Sequence, residues 1–318
     1  MIREEMAPED LEECLSLKPA SMGAELVGDT HAIEAWKKLV RGRSLHSAII
    51  KTSSIGGQRI VSFGCTAFVS RAFADEEISH PQPGLNARII ASIHAGRPVI
   101  LSDAELRAAN TKGGLDVVIL YSCWNDKGLS VQDISEVQWL MMTSFFELHR
   151  GYRLNRLMAE ADEAQRKVLI ESSKGWRVIS DFEEFYRLHS NTTWPFGLSL
   201  VVITSDDALA APGSTAAQLF QRNEPILQLR DIDQQLLNAA LRGSSDEELA
   251  RALRIQLSSV KKRWRSLFTR ISAVQPNLLP NDGLDGVRGR EKRRSILAYV
   301  RTHPEELRPT SAPDSSKM

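Results

Sequence analysis

The ten-residue stretch LDVVILYSCW, residues 115–124, decides the fold of the N-terminal part of the chain. It is an almost unbroken apolar run that is rich in Val and Ile, and such a run is typical of a strand that is covered on both faces of a sheet. Similar runs surround it at residues 47–52, 59–69, 152–159, 177–180 and 198–204. The sequence therefore predicts a largely covered sheet in which residues 115–124 form the central strand.

Helical patterns alternate with these strands. A long amphipathic helix is predicted from Ile134 to Arg150, after the central strand, and Ser102 with Glu105 has the spacing of a capping box. Further helices are predicted at residues 8–17, 32–41, 85–95 and 163–174. The alternation predicts an α/β or α+β domain over residues 1–204.

The composition is that of an ordinary globular protein. The chain has 318 residues, of which 42% are hydrophobic and 25% are charged, and this length predicts two domains. The longest apolar runs are about half of the roughly 20 residues that a membrane helix needs, and the acidic N-terminus lacks the pattern of a secretion signal. We therefore expect a cytoplasmic protein with no membrane partner.

The cysteines and histidines give no sign of a metal site. Cys14, Cys65 and Cys123 lie far apart in the chain and form no Cys-x-x-Cys pair. We expect these cysteines to be small buried hydrophobes in a reducing compartment, and the alternative is a redox or nucleophilic thiol. The prediction is that the protein has no metal and no cofactor.

The charges are unevenly distributed along the chain. The sequence has 40 basic and 40 acidic residues, of which 26 basic and 34 acidic precede Arg254. The remaining 14 basic and 6 acidic residues follow from that point. Such asymmetry predicts that the C-terminal part meets a polyanion.

A change in composition predicts the domain boundary. Residues 205–225, SDDALAAPGSTAAQLFQRNEP, lose the strand pattern and are predicted to be a linker. An all-α domain is predicted over residues 226–273, followed by a loop and a C-terminal helix over 274–308 and a disordered tail over 309–318.

One helix of this second domain has a basic face. At about 100° per residue, Val260, Trp264, Leu267 and Ile271 form an apolar stripe that is predicted to be buried. The opposite face carries Ser258, Lys261, Lys262, Arg265 and Thr269, and residues 256–270 contain no carboxylate. This pattern favours a face that lies against phosphates over a basic surface helix without a partner.

The same segment resembles the LuxR-type helix-turn-helix family. The matching positions are Leu227, Arg230, Asp231, Leu236, Gly243, Glu248-Leu249-Ala250, Leu253, Ile255 and Val260-Lys261. The interval from Arg230 to Gly243 is two residues longer than in the family. Gln256 replaces the usual capping Ser, so Ser258 or Ser259 is expected to cap the recognition helix instead.

The resemblance implies roles in DNA binding for eight residues. Lys261, Lys262 and Arg265 correspond to positions that read bases in the major groove. Ser259, Arg263 and Arg270 flank them as phosphate contacts. Ser258 and Thr269 complete the predicted DNA-binding set.

The element order of residues 2–204 resembles the GNAT acetyltransferase superfamily. The likeness lies in the opening IREEMAPEDLEECLSL, in the central strand with its long helix, and in the later segment HRGYRLNRLMAEADEAQRKVLIESSKGWRVIS. The family holds the pyrophosphate of acetyl-CoA at a glycine-rich turn after the central strand, where helix N-terminal amides point at the phosphates. Residues 125–130 read Asn-Asp-Lys-Gly-Leu-Ser instead, with one glycine and one acidic residue.

These observations predict a sequence-specific DNA-binding transcriptional regulator with a non-catalytic N-terminal sensory or dimerisation domain. No catalytic residue is assigned, and the N-terminal domain is not expected to be an enzyme. The predicted partners are double-stranded DNA, a second copy in a homodimer and a small-molecule effector. Two alternatives stay open: a GNAT-type acetyltransferase with an accessory basic helical domain, and a DNA-bound scaffold with no ligand.

Overall fold

The computed structural model describes residues 1–17, 30–40, 42, 44–54, 57–188, 198–241, 243–280 and 289–310. The chain forms two compact units, which are Met1–His149 with Arg153–Phe220 (unit 1) and Arg150–Tyr152 with Gln221–Met318 (unit 2). Unit 1 thus extends into the segment that was predicted to be a linker. The predicted tail from residue 311 onward lies outside the described residues.

Unit 1 is built on one seven-stranded sheet with the order β1-β2-β3-β4-β5-β7-β6. The strands are β1 (Ile2–Glu4), β2 (Leu45–Ser54), β3 (Gly57–Val69), β4 (Leu115–Trp124), β5 (Leu154–Ala161), β6 (Arg177–Asp181) and β7 (Ser199–Thr204). Among these described strands, β4 and β5 run parallel and every other neighbouring pair is antiparallel. The prediction of a mixed α/β fold is confirmed, with β4 at the centre of the sheet.

Ten described helices surround this sheet. They are α1 (Leu11–Ser16), α2 (Thr30–Val40), α3 (Arg71–Ser79), α4 (Leu85–His94), α5 (Asp103–Thr111), α6 (Val131–His149), α7 (Glu163–Ser172), α8 (Glu183–Leu188), α9 (Ser205–Ala210) and α10 (Ala217–Phe220). The segment between β3 and β4 contains α3, α4 and α5, and the capping box predicted at Ser102 and Glu105 begins α5. Helix α6 connects the two parallel strands, as a parallel pair requires.

Both faces of the sheet are covered. Successive residues of a strand point to opposite faces, so Ile49 of β2 joins the main core with Trp36 and Phe63, whereas Ile50 packs with Val137 of α6 on the other face. The three cysteines are buried, as predicted. The nearly continuous apolar runs of the strands therefore reflect burial on both faces of the sheet.

A buried ion pair joins the amino-terminal ends of the two parallel strands. The Asp116 carboxylate of β4 is only 2% exposed and accepts hydrogen bonds from Arg156 Nε of β5 at 2.6 Å and from Asn155 Nδ2 at 2.7 Å. Arg156 Nη2 also donates to Asp75 of α3. These bonds connect α3 to the centre of the sheet.

The regular elements among the described residues of unit 2 are all helical. Its helices are α11 (Asp231–Leu241), α12 (Asp246–Ala252), α13 (Leu257–Val274) and α14 (Gly289–Thr302), with short 3-10 turns at Pro276–Leu278 and Pro304–Leu307. The predicted apolar stripe of α13 is buried as expected, and Trp264 packs beside Phe268. The arrangement gives this unit a core of its own.

The start of α13 differs from the expectation. Gln256 occupies the N-cap position with an extended backbone, φ −71° and ψ 150°, and its side chain makes no capping hydrogen bond. The prediction that Ser258 or Ser259 caps the helix is wrong, because both lie inside its first turn. Arg254 has a left-handed φ of 52°, so the chain reverses direction early enough for the helix to begin at Leu257.

Candidate functional site

The parallel strands β4 and β5 separate at their carboxyl ends. Their ladder pairs Leu115–Ile119 with Leu154–Ala159 and ends there, although β4 continues to Trp124. Beyond that point β4 pairs only with β3 and β5 only with β7, among the described strands. We call the opening between Leu120–Trp124 and Glu160–Ala161 the fork.

A β-bulge lies where the fork begins. On the other edge of β4, Ile119 lies opposite Thr66 of β3, but the next pair joins Tyr121 to Cys65. Leu120 is therefore an extra residue with no partner in this register. A bulge bends its strand and increases the local twist, and this bend explains why β4 leaves β5 directly after Ile119.

The N-terminus of α4 is bonded to both sides of the fork. The two carboxylate oxygens of Glu160 on β5 accept the backbone N–H groups of Gly84 and Leu85, each at 2.8 Å. The side-chain amide of Asn86 donates to the carbonyl of Leu120, the bulged residue of β4. Gly84 has a φ of 78°, a conformation that glycine adopts without strain. The segment between β3 and β4 thus closes one wall of the fork.

Aromatic side chains lie beside the bulge. The ring of Tyr121 is 5% exposed, and its centroid lies 5.5 Å from that of Trp36 and 5.9 Å from that of Phe63. Burial raises the pKa of the Tyr121 phenol, with smaller contributions from Cys65, Cys123 and Glu160. The phenol is therefore a neutral group at physiological pH, next to the fork.

A capping box begins α6, directly after the loop that follows β4. One oxygen of Asp133 accepts the Ser130 backbone N–H at 3.0 Å and the Ser130 hydroxyl at 2.7 Å. The Ser130 hydroxyl oxygen accepts the Asp133 N–H at 3.1 Å. These hydrogen bonds lower the pKa of Asp133, so a carboxylate occupies the helix end at which the GNAT resemblance implies a pyrophosphate. The residues present do not fit that group.

Neither a metal site nor a membrane helix is found in the described part of the chain. No cluster of three or more His, Cys, Asp or Glu residues there could hold a metal ion. No helix there is both long enough and apolar enough to cross a membrane.

The structure collects most of the predicted DNA-binding residues on one side of α13. The exposed residues are Ser258, Lys261, Lys262, Arg265 and Thr269, and the half-buried ones are Ser259, Arg263 and Arg270. Arg270 is set apart from the others, because its guanidinium forms an ion pair with the buried carboxylate of Asp233. DNA binding by this face, and a homodimer on DNA, stay predictions.

Part of the basic sequence of α14 has a structural role that the sequence did not reveal. Arg293 donates to both carboxylate oxygens of Asp246, at 2.7 and 3.0 Å, and its guanidinium lies 4.8 Å from the Trp264 ring centre. The pair joins α14 to the first turn of α12.

Comparisons with known proteins find little similarity in sequence. No protein-family model matches the chain, and no curated protein matches it. A similar solved structure is that of FeeM, an N-acyl amino acid synthase from uncultured soil microbes. It is 9% identical, the match covers 68% of this chain and 95% of that chain, and the TM-score is 0.37.

FeeM, one of the solved structures that match, is an N-acyl amino acid synthase, and this finding goes against the prediction of a transcriptional regulator whose N-terminal domain is not an enzyme. We therefore regard that prediction as wrong. The bulge of β4 precedes residues 125–130 in the chain, whereas the β5 side of the fork follows them.

Proposed function

We propose that unit 1 has a GNAT-like fold and is an acyltransferase that moves an acyl group from a thioester to an amine at the fork. The order of its elements supports this proposal, because a central strand, a long helix and a second strand parallel to the first appear as in the GNAT superfamily. The flanking strands β6 and β7 complete the sheet beyond β5.

The fork with its bulge at Leu120 is the observation that carries the proposal. In open α/β sheets, ligands bind beyond the carboxyl ends of parallel strands, and bulges often lie next to active sites. Past Ile119, β4 and β5 no longer pair with each other, and the gap between the two strands is where we place the substrates.

The proposed reaction is direct transfer. The amine nitrogen attacks the thioester carbonyl carbon, a C–N bond forms and the C–S bond breaks. The thiolate leaves and takes up the proton that the amine loses, so the products are an amide and a thiol. The buried wall around Tyr121 and Trp36 excludes water from this step, and exclusion of water limits hydrolysis of the thioester.

Mass spectrometry of the products tests the proposal. The full-length chain is incubated with acyl thioesters of increasing chain length and with a panel of amines that includes amino acids. We expect one amide for each thiol released, with thiols counted by a colorimetric reagent. Thiol release without amide, or no turnover with any pair, would contradict the proposal.

Two matched variants locate the reaction in the fork. Asn86→Ala removes the donor to the Leu120 carbonyl, and a buried group left without its partner costs about 1–3 kcal/mol. We expect kcat/KM to fall about tenfold or more as the bulge relaxes. In Asn110→Ala the lost bond joins Asn110 Oδ1 to the Arg153 backbone N–H at 2.8 Å, at the amino end of β5. This control should lose stability to a similar extent but keep its kcat/KM.

A further inference from the structure

Several backbone N–H groups of the loop after β4 already donate hydrogen bonds within the protein. The amide of Asn125 donates to the Val61 carbonyl at 2.8 Å, and that of Leu129 donates to the Asp126 carbonyl at 3.0 Å. The Lys127 amide donates to the Asn125 side-chain oxygen at 3.0 Å. A phosphate cradle needs several backbone N–H groups that point toward one ligand, and these three are already bonded elsewhere.

The first turn of α6 is bonded in the same way. Its capping box uses the amides of Ser130 and Asp133, and the Ile134 amide donates to the Ser130 carbonyl at 3.0 Å. A phosphate bound by the Ser130 amide would have to displace the Asp133 carboxylate. The lowered pKa of Asp133 keeps that carboxylate ionised at neutral pH.

The charges around the loop do not favour an anion either. Asp126 and Asp133 carry negative charge, and Lys127 and Arg59 carry positive charge, so these four residues have no net charge. The Arg59 guanidinium donates to the Lys127 carbonyl at 2.8 Å. This bond holds the guanidinium against the backbone of the loop. A phosphate at the Ser130 amide would meet the like charge of the Asp133 carboxylate, which already accepts that amide.

We infer that the acyl donor binds at the fork without any contact between its phosphates and the N-terminus of α6, so that a phosphate-free acyl thioester is as good a donor as acetyl-CoA. This inference rests on the proposed function and names the substrate class of the same site. The family resemblance implies a pyrophosphate at α6, and the residues of this chain replace it with the carboxylate of Asp133. The fork alone then recognises the acyl group and its thioester arm.

Comparing two donors tests the inference. S-acetylpantetheine has the same thioester arm as acetyl-CoA but no phosphate, and we expect the kcat/KM values of the two donors to agree within about threefold. A cradle that made two charge-assisted hydrogen bonds would give acetyl-CoA an advantage of at least about tenfold. An advantage of that size in the wild-type chain would overturn the inference.

A binding experiment gives a readout that does not depend on turnover. Adenosine 3′-phosphate 5′-diphosphate, the nucleotide half of CoA, is titrated calorimetrically into the full chain, and we expect a Kd weaker than about 1 mM. The double variant Asp126→Asn with Asp133→Asn removes both carboxylates and should tighten this Kd at least about tenfold. Glu105→Gln, in the matched capping box of α5, is the control and should leave the Kd unchanged.

The outcomes separate this inference from the proposed function. If neither thioester supports amide formation, the proposed function fails, and the calorimetric result still decides whether α6 holds phosphate. Nucleotide binding by the wild-type chain would overturn the inference and leave the acyltransferase proposal in place. A double variant that gains no affinity would also overturn it, because the carboxylates would then not be what excludes the phosphates.

Discussion

Replacing Glu160 with Gln tests how strongly β5 holds the wall of the fork. The two carboxylate oxygens of Glu160 accept the N–H groups of Gly84 and Leu85 at 2.8 Å each. Gln has one oxygen and one NH₂ group, so one of the two amides loses its acceptor. A hydrogen bond to a charged group contributes about 1.5–3 kcal/mol, and a carboxylate at a helix N-terminus about 0.3–1 kcal/mol. We expect the free energy of opening α4 to fall by about 2–4 kcal/mol.

Native-state hydrogen exchange, read by mass spectrometry, measures this opening locally. For exchange through local opening, the expected loss corresponds to about 30- to 800-fold faster exchange of the α4 amides, residues 85–94. Glu105→Gln is a matched control, because that carboxylate caps the exposed start of α5. It should leave α4 unchanged. Exchange of α4 within about threefold of wild type in a folded Glu160→Gln chain would refute the argument that these two bonds hold the wall.

Three further predictions concern stability and reactivity. Gly151→Ala should destabilise unit 2 by more than about 1 kcal/mol in denaturant unfolding, because Gly151 has a φ of 86° and a Cβ would lie 2.5 Å from the Glu305 backbone nitrogen. Burial raises the pKa of Asp207, but hydrogen bonds from Thr204 and the charge of Arg177 outweigh it and lower that pKa from 3.8. Its stabilising contribution is therefore complete above pH 3.8 and lost as the pH falls through the folded-state pKa, and unfolding curves of Asp207→Asn should depend less on pH in that acid range. Burial raises the pKa of Cys14 to about 12, so iodoacetamide at pH 8 should leave Cys14 unlabelled until the chain is unfolded, as peptide mass spectrometry would show; labelling of the native chain would contradict this.

Local patterns in the sequence predicted most of the sheet. β4 begins and ends where the apolar run begins and ends, because the run is bounded by Gly113-Gly114 and by Asn125-Asp126. β1 was missed because it is three residues long and its residues are exposed. α9 and α10 were assigned to a linker because composition does not reveal burial, yet Ala208 and Leu219 are buried.

The fork could not be predicted in the same way. The bulge at Leu120 is a property of the register between β4 and β3, and register depends on a partner strand that lies far away in the sequence. The bonds from Glu160 and Asn86 likewise join separate elements. The Ser130–Asp133 box is different, because its spacing of three residues is visible in the sequence, and it could have indicated that α6 caps its own N-terminus.

The segment between β3 and β4 also has a consequence for the order in which unit 1 folds. β2 and β3 are close together in the chain, and Ser54 pairs with Gly57, whereas β3 and β4 can pair only after residues 70–114 have closed into a loop. Contacts between distant parts of a chain form more slowly, because the entropy of loop closure must be overcome first. The β2–β3 hairpin is therefore expected early, and the wall of the fork, which the same segment supplies, late. Substitutions in that wall should then speed unfolding while leaving the folding rate nearly unchanged.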